Sequence, residues 1–465
     1  MNMINVRRLT VMTFLGAGML SGISAQVSPL QVDTLKETKI PDQWDLQSCI
    51  DYAKEQNITI RKNRITAVST QIDVKTAKAA LFPSLSFSTG HQVVNRPYQE
   101  TSSRVSGSEI ISSNSKTSYN GNYGLNASWT LYNGNKRLKT IQQEKLNNQM
   151  AELDVATSEN NIQESIAQVY IQILYAAESV KVNENTLQVS IAQRDRGQEL
   201  LNAGSIAKSD LAQLEAQVST DRYQLVTAQA TLEDYKLQLK QLLELDGENE
   251  MNIYLPALSD ENVLAPLPTK RDVYISALSF RPEIEASKLN VEASELGINI
   301  AKSSYFPTIS LSAGIGTNHT SGSDFTFGEQ VKNGWNNSIG LSVSVPIFNN
   351  RQTKSAVQKA KLQYETSMLS LLDEQKALYK TIESLWLDAN SAQQRYAAAN
   401  EKLKSTQISY ELISEQFNLG MKNTVELLTE KNNLLQAQQE QLQAKYMAIL
   451  NTQLLKFYQG DQLAL

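Results

Sequence analysis

Four short stretches of the chain alternate apolar and polar residues with the period of two that a β-strand imposes. In the clearest stretch, Tyr123, Leu125 and Trp129 face one way, while small polar residues such as Asn126 and Ser128 face the other. A soluble sandwich also has one apolar face per strand, but aromatic strand ends and small polar opposite faces are typical of a membrane barrel with a wet lumen. We predict strands at about residues 84–90, 119–132, 308–316 and 338–348.

Two much longer tracts carry apolar residues at spacings of three, four and seven, which marks helices packed lengthwise along a neighbour. These predicted helices cover about residues 136–246 and 351–458, and each tract is interrupted by one glycine, Gly204 or Gly420. Glycine suits the left-handed end of a helix, so each tract is predicted to fold as a hairpin. The first arm alone would be on the order of 100 Å long at ~1.5 Å per residue.

A shorter helical stretch precedes each pair of predicted strands. The first runs from Trp44 to Phe82 and the second from about Lys270 to Phe306. Pro83 and Pro307 end them, because proline lacks an amide hydrogen and disfavours helical geometry in the residue before it.

The chain is a duplication of this plan. The segment Leu-Phe-Pro-Ser at 81–84 returns as Tyr-Phe-Pro-Thr at 305–308, and the segment at 130–135 is echoed at 345–350. Phe82 and Phe306 in the first pair are 224 positions apart, and Tyr132 and Phe348 in the second are 216 apart, so the second copy has lost about eight residues between its strands. We divide the chain into a first structural repeat, 44–260, and a second, 261–465.

The first residues predict export. Arg7 and Arg8 precede an apolar run from Leu9 to Leu20 and then small residues, the pattern of a secretory signal over residues 1–25. Residues 26–43 form a polar lead-in, with the mature chain starting near Gln26. No later apolar stretch reaches the ~20 residues that a membrane helix needs. The exported chain is therefore predicted to be periplasmic, secreted or an outer-membrane β-barrel.

Composition excludes several functions. A net charge of −5 and a pI near 5.4, with no basic stripe, argue against nucleic acid. The lone Cys49 has no disulfide partner and is predicted to be a small buried helix residue. His91 and His319 lack the spacing of metal ligands and are predicted to be surface residues at loop edges. No phosphate-binding loop or catalytic constellation occurs, so we predict no enzyme activity, no cofactor and no metal.

Four strands cannot close a barrel, because about eight is the smallest useful number. If the alternating stretches are membrane strands, several chains must pool them. The duplicated Phe-Pro-Ser/Thr junctions, the segments 129–134 and 345–349 and the paired glycine tips together resemble the TolC family of outer-membrane efflux channels. The resemblance covers nearly the whole mature chain.

This resemblance implies a mixed α and β membrane protein in which a duplicated helix–strand–strand–hairpin unit assembles as a homotrimer. Three chains would complete a 12-stranded outer-membrane β-barrel, continued by an α-helical barrel across the periplasm. The implied partners are a periplasmic adaptor, an inner-membrane pump and outer-membrane lipid. The implied location is the outer membrane, spanning into the periplasm.

The resemblance also places a periplasmic entrance at the hairpin tips, where polar links between tips hold the tube closed. In this chain the phenylalanine at position 417 replaces a tyrosine of the best-known members and cannot form a hydroxyl hydrogen bond. The resemblance implies two successive acidic rings at the entrance, and this chain keeps only the first, at Glu426, because Thr429 stands at the second. The implied gate residues are Ser209, Asp210, Phe417, Lys422, Glu426 and Thr429. The implied adaptor contacts are Gly204, Ser205, Ile206, Ala207, Gly420, Met421, Asn423 and Thr424.

Simpler roles compete with these. Asp210 and Glu426 suit the first turn of any exposed helix, and Lys422 suits any solvated tip. Asn423 is predicted to cap the returning helix with Glu426 reaching back, and Ser209 with Asp210 to form a similar cap.

The sequence predicts a passive exit duct of a tripartite efflux or type I secretion system, without naming its cargo. A periplasmic coiled-coil adaptor and a structural coiled-coil protein are the alternatives. An adaptor usually carries one hairpin rather than two, and a structural coiled coil would not need the four strands.

Overall fold

The computed structural model describes residues 41–98, 102–106, 109–113, 116–246, 251–256, 263–321 and 325–463. For residues 102–106 and 109–113 it describes the backbone alone. The described residues from Asp42 onward form one compact unit. The predicted signal segment and almost all of the lead-in lie outside the described residues.

Each repeat opens with two consecutive helices where the sequence predicted one. In the first repeat these are α1, Leu46–Gln56, and α2, Ile58–Ala79. The prediction of one helix from Trp44 to Phe82 was wrong at its middle, because the side chain of Asn57 accepts the amide hydrogens of Thr59 and Ile60 and starts a new helix. The second repeat shows the same break between α5, Lys270–Phe280, and α6, Pro282–Ser303.

Four antiparallel strands form one sheet in the order β1–β4–β5–β6. Their bounds are β1 Ser84–Asn95, β4 Thr117–Asn133, β5 Thr308–Thr320 and β6 Asn336–Ser344. The first three are longer than predicted, whereas β6 begins two residues earlier and ends before Pro346, which lacks an amide hydrogen. A small separate hairpin joins β2, Ser102–Ser106, to β3, Glu109–Ser113.

The pairing register sorts the side chains of the sheet into alternating rows. One row joins Leu85, Ala127, Ala313 and Ile339, and the next joins residues that are all small or polar. Because paired residues of antiparallel strands share a face, one face of the sheet is apolar and the other carries small polar groups. The residues of that next polar row are Ser86, Asn126, Gly314 and Ser338.

The two histidines lie within strands rather than at loop edges, which corrects the prediction. The sheet extends past residues 90 and 316, so His91 belongs to β1 and His319 to β5. His91 stacks on Tyr119 at 5.8 Å between ring centroids, and His319 contacts the edge of Phe327 at 5.0 Å. Phe327 begins the short helix α7, Phe327–Asn333, inside a stretch that the sequence predicted as loop.

Four long helices form the two hairpins. The first hairpin is α3, Lys136–Asn202, with α4, Lys208–Leu242; the second is α8, Gln352–Asn418, with α9, Thr424–Gln459. Both outgoing helices have 67 residues, which corresponds to about 100 Å at ~1.5 Å per residue. The predicted breaks at Gly204 and Gly420 are confirmed, because a turn lies at each position.

The turns from strand to long helix repeat in detail. Gly134 and Asn135 have φ angles of +67° and +63°, and Asn350 and Arg351 have +49° and +64° in the second copy. A Cβ on Gly134 would lie 2.6 Å from the carbonyl oxygen of Ser303, so this position needs glycine for space as well as for φ.

The main hydrophobic core lies where the short helices and the returning arms meet the long helices. It includes Trp44, Cys49, Tyr170, Leu239 and Tyr446. Cys49 is fully buried, as predicted, and burial raises the pKa of its thiol to about 12. Trp44 also pairs with Ile253 through backbone hydrogen bonds that tie the chain before α1 to the segment after α4.

Candidate functional site

The two hairpin tips share one backbone geometry. After α3 the amide of Ser205 donates to the carbonyl of Leu200, and after α8 the amide of Met421 donates to the carbonyl of Gln416, both at 2.8 Å. Gly204 immediately precedes Ser205, and Gly420 immediately precedes Met421; their φ angles are +75° and +74°. This is the Schellman end of a helix, in which a left-handed residue lets the chain satisfy the last carbonyl groups.

The first tip returns to helix at Ala207, not at Ser209. Ala207 has extended backbone angles and is the N-cap of α4, and its amide donates to the carboxylate of Asp210 at 3.0 Å. The prediction that Ser209 caps this helix was wrong, because Ser209 already lies in the first turn. Ser205, Ala207 and Ser209 are exposed, while Ile206 and Asp210 are half-buried.

The second tip forms the predicted capping box. The side chain of Asn423 accepts the amide of Glu426 at 2.9 Å, and the carboxylate of Glu426 accepts the amide of Asn423 at 3.2 Å. Lys422 Nζ also donates to Glu426 at 2.6 Å. The hydrogen bond from Lys422 is the largest cause that lowers the pKa of Glu426.

Two of the predicted tip residues are buried instead of presented to solvent. Phe417 packs with Leu214 and Leu427 in a small core that joins the two hairpins just behind the tips. Thr424 is also buried, and its Oγ1 has no hydrogen-bond partner among the described residues. This burial argues against Thr424 as an adaptor contact. Met421 is 70% exposed and does present a surface at the tip.

The charged residues of the tips do not meet within one described protomer. Asp210 accepts from its own helix N-cap, and Lys422 pairs with Glu426 four residues along. Thr429 is exposed, and its hydroxyl donates to the carbonyl of Val425. These hydrogen bonds of Asp210, Lys422, Glu426 and Thr429 therefore each lie within a single hairpin.

A buried polar cluster that the sequence analysis missed joins the hairpins further from the tips. Lys431 on α9 donates to Asp221 on α4 and to Ser190 on α3, and Ser190 donates to the same carboxylate oxygen of Asp221. The other carboxylate oxygen accepts from Gln217 at 2.9 Å. Lys431 and Asp221 are 3% and 2% exposed, so these charges are removed from water. We call Ser190, Asp221 and Lys431 the inter-hairpin cluster.

The sequence did hold a signal for this cluster. Asp221 falls between Val218 and Leu225 in the apolar stripe of α4, and Lys431 lies four residues after the buried Leu427. A charged residue within the apolar face of a helix is either buried together with a partner of opposite charge or marks a place where that face is not buried. The spacing of residues along the chain does not identify the partner.

Burial dominates the electrostatics of the cluster. Removal of the Lys431 ammonium from water lowers its pKa, and the hydrogen bond that it donates to Asp221 opposes that effect without cancelling it. A second polar contact crosses between the hairpins nearby, where Gln193 on α3 donates to the hydroxyl of Tyr410 on α8 at 2.8 Å.

Two general features bear on chemistry. Across the described ranges, no group of three or more His, Cys, Asp or Glu side chains is placed to hold a metal ion. None of the described helices is long and apolar enough to cross a membrane.

Comparison with known proteins places this architecture in a family. The sequence profile described as outer membrane efflux protein matches residues 49–244 and again residues 273–460. The chain belongs to this family of outer-membrane transport proteins, and the double match coincides with the duplicated order of helices and strands.

Individual relatives are distant. The outer membrane efflux protein BepC of Brucella suis is 24% identical over 294 residues, which cover 63% of this chain and 61% of that protein. The outer membrane protein TolC of Escherichia coli is also 24% identical over 294 residues, which cover 61% of this chain and 58% of that protein. Both alignments thus span less than two thirds of the relative.

A solved structure of CusC matches the fold over a wider range. Its TM-score is 0.75 at 18% identity, and the match covers 90% of this chain and 92% of that chain. At this identity the likeness concerns the fold alone.

Proposed function

We propose that this protein is the passive outer-membrane exit duct of a tripartite efflux or type I secretion machine. It assembles as a homotrimer, and a periplasmic adaptor docks at its hairpin tips and links it to an inner-membrane pump. The pump supplies the energy, and the duct has no catalytic activity or cofactor of its own. The cargo is a drug, a toxic solute or a protein that the pump selects.

The observation that carries this proposal is the four-stranded sheet. Within the described residues, β1 and β6 each pair on one side only, so the sheet has two free edges. One face is apolar and exposed, with Ile339 at 79%, whereas the opposite face is small and polar. Three such sheets joined edge to edge give twelve strands, enough for a barrel with lipid outside and water inside.

The long hairpins continue the duct on the other side of the sheet-to-helix turns. Their tips form the entrance, where Gly204, Ser205, Ile206, Ala207 and Gly420 shape the surface that the adaptor grips. Met421 and Asn423 complete this surface. Glu426 provides an acidic ring at the mouth.

Asp210 and Lys422 belong to the gate in this proposal, through contacts between neighbouring protomers of the trimer. Replacing both residues by alanine is expected to raise single-channel conductance in planar bilayers, because it removes polar links that hold the mouth shut. Lys402→Ala, which affects a pair inside one hairpin, is the control. Unchanged conductance in the double variant would remove both residues from the gate.

We also propose that residues 1–25 are cleaved as a signal and that residues 44–260 and 261–465 are the two repeats. Support comes from the basic and apolar start of the chain and from matching left-handed turns at Gly204 and Gly420.

The test of the proposed function is the native mass of the protein extracted in mild detergent from purified outer membranes, corrected for bound detergent. A trimer is expected, together with stepwise conductance after reconstitution. A monomer, or protein found only in the soluble periplasmic fraction, would contradict the duct and favour an adaptor or a structural coiled coil.

A further inference from the structure

The two hairpins of one protomer are held together by few polar contacts near the entrance. At the tips, Lys422 is occupied by Glu426, Asp210 by the amide of Ala207, and Phe417 has no hydroxyl to share. The apolar contacts of Phe417 with Leu214 and Leu427 are non-directional and would let the hairpins slide. A directional link between the hairpins must come from elsewhere in the protomer.

We propose that the inter-hairpin cluster of Ser190, Asp221 and Lys431 is the latch that fixes the two hairpins of each protomer in the closed arrangement. The inference rests on the proposed function, since a latch has meaning only for an entrance that opens. These residues are positioning residues: they set the angle between the hairpins and do not touch the cargo.

The connectivity of the cluster supports this role. Lys431 belongs to the second hairpin, whereas Asp221 and Ser190 belong to the two arms of the first. One ammonium group therefore joins three helices. The cluster lies about 10–20 Å from the tips, counting ~1.5 Å per residue from Thr424, Asn202 and Lys208.

Burial makes the link strong and all-or-none. Both carboxylate oxygens of Asp221 accept hydrogen bonds from Lys431, Ser190 or Gln217, so the group is satisfied without water. In a low-dielectric interior such bonds are stronger than in water, and a charge left unpaired there is costly. The hairpins can thus separate only if water reaches both charges, which favours two discrete states over gradual sliding.

Stability alone does not explain a buried ion pair at this position. Apolar residues of similar volume usually stabilise a core at least as well as a buried pair of charges. The nearby buried residues Leu214, Val218 and Leu427 are all apolar, so apolar packing is the rule on the buried faces of these helices. A breakable, directional contact between hairpins is what the charged pair adds.

The decisive variant removes both charges while keeping the shape of the side chains: Asp221→Asn together with Lys431→Met. If the cluster is a latch, single-channel conductance in planar bilayers rises severalfold, because packing remains but the ionic link is lost. If the pair serves only packing, the neutral variant has wild-type conductance, and that result overturns the proposal.

A matched control neutralises an ion pair of the same chemistry inside one hairpin. Lys402 on α8 and Glu440 on α9 are 2.7 Å apart and substantially exposed, so Lys402→Met with Glu440→Gln changes the charge in the same way without touching the contact between hairpins. Wild-type conductance is expected. A rise equal to that of the latch variant would show a general charge effect and overturn the proposal.

A distance measurement separates failure of the latch from failure of the duct. Spin labels at Tyr223→Cys on α4 and Leu412→Cys on α8, both exposed positions, report the separation of the hairpins in detergent whether or not a pore forms. The neutral variant is expected to give a longer and broader distance distribution. An unchanged distribution overturns the latch, whereas absence of conductance in every protein, including the wild type, refutes the duct alone.

Discussion

Single residues at the tips are governed by local hydrogen bonding more than by the charges that first draw attention to them. Asp210 and Glu426 both reach back to the amide three residues earlier, so each completes the first turn of its helix. Lys422 adds an i,i+4 pair to Glu426 on the same tip. Both acids are therefore part of the tip architecture, whatever they contribute to the proposed trimer.

The capping box predicts how the second tip responds to acid. The pKa of Glu426 is held below its ordinary value of 4.5, so its contribution to tip stability is complete above that value and is lost as pH falls through the lower folded pKa. Hydrogen exchange of the Asn423 and Glu426 amides, corrected for intrinsic rates, should rise in this acidic range. Glu426→Gln should remove the pH dependence; if it persists, another group is responsible.

Glycine at the tips predicts a second measurable effect. Gly420→Ala places a side chain at a φ of +74° and should destabilise the tip by about 1 kcal/mol, although its Cβ would meet open space. Local hydrogen exchange at the tip measures this change. Gly328→Ala is the control, because its Cβ also meets open space without a positive φ. Equal effects at both sites would contradict an origin in backbone strain.

At the scale of elements, the joint between α5 and α6 shows how a helix break is fixed by tertiary contacts. Arg281 is buried at the break, with its guanidinium 3.7 Å from the ring centre of Tyr458 and 2.9 Å from Glu164 on α3. Pro282 occupies the first position of α6, where its missing amide hydrogen is harmless. The joint therefore ties a short helix to α3 and to the end of α9.

Arg281→Lys should destabilise this joint, because an ammonium group cannot stack on the ring of Tyr458 as the planar guanidinium does while it also donates to Glu164. The expected loss is about 1–3 kcal/mol, the range for a charge-assisted hydrogen bond. Chemical denaturation of the detergent-solubilised protein measures it. Arg64→Lys, in the exposed pair with Glu159 on α3, should cost only about 0–1 kcal/mol. Similar losses for both substitutions would refute the special role of the joint.

The whole molecule depends on the two faces of its sheet. Apolar rows such as Leu85, Ala127, Ala313 and Ile339 alternate with small polar rows, and this pattern is continuous across all four strands of the sheet. Such a sheet is complete only when its free edges are paired and its apolar face leaves water.

A pair of neighbouring substitutions tests the assignment of faces. Ile339→Arg puts a charge on the apolar face and should cost about 2–4 kcal/mol if it lies near the bilayer midplane, which would reduce recovery from the outer-membrane fraction. Ser338→Arg, one residue away on the polar face, should insert normally and change the conductance instead. Equal recovery of both variants would contradict a lipid-facing row through Ile339.

Periodicity in the sequence predicted the four strands of the sheet, the two hairpins and the glycine tips. These features follow from short-range rules: alternation in strands, three-and-four spacing in helices, and the φ angles that glycine tolerates. The capping box of Asn423 and Glu426 followed from the same rules, because its partners are three residues apart.

Only the tertiary structure decided which distant residues meet. Lys431 and Asp221 are 210 positions apart, and Arg281 and Glu164 are 117 apart, so no local pattern could pair them. The buried joint at Arg281, the burial of Phe417 and Thr424, and the inter-hairpin cluster all depend on how the two repeats pack. The physical reason is that burial and charge pairing are set by neighbours in space, whereas periodicity records only which face of an element is buried.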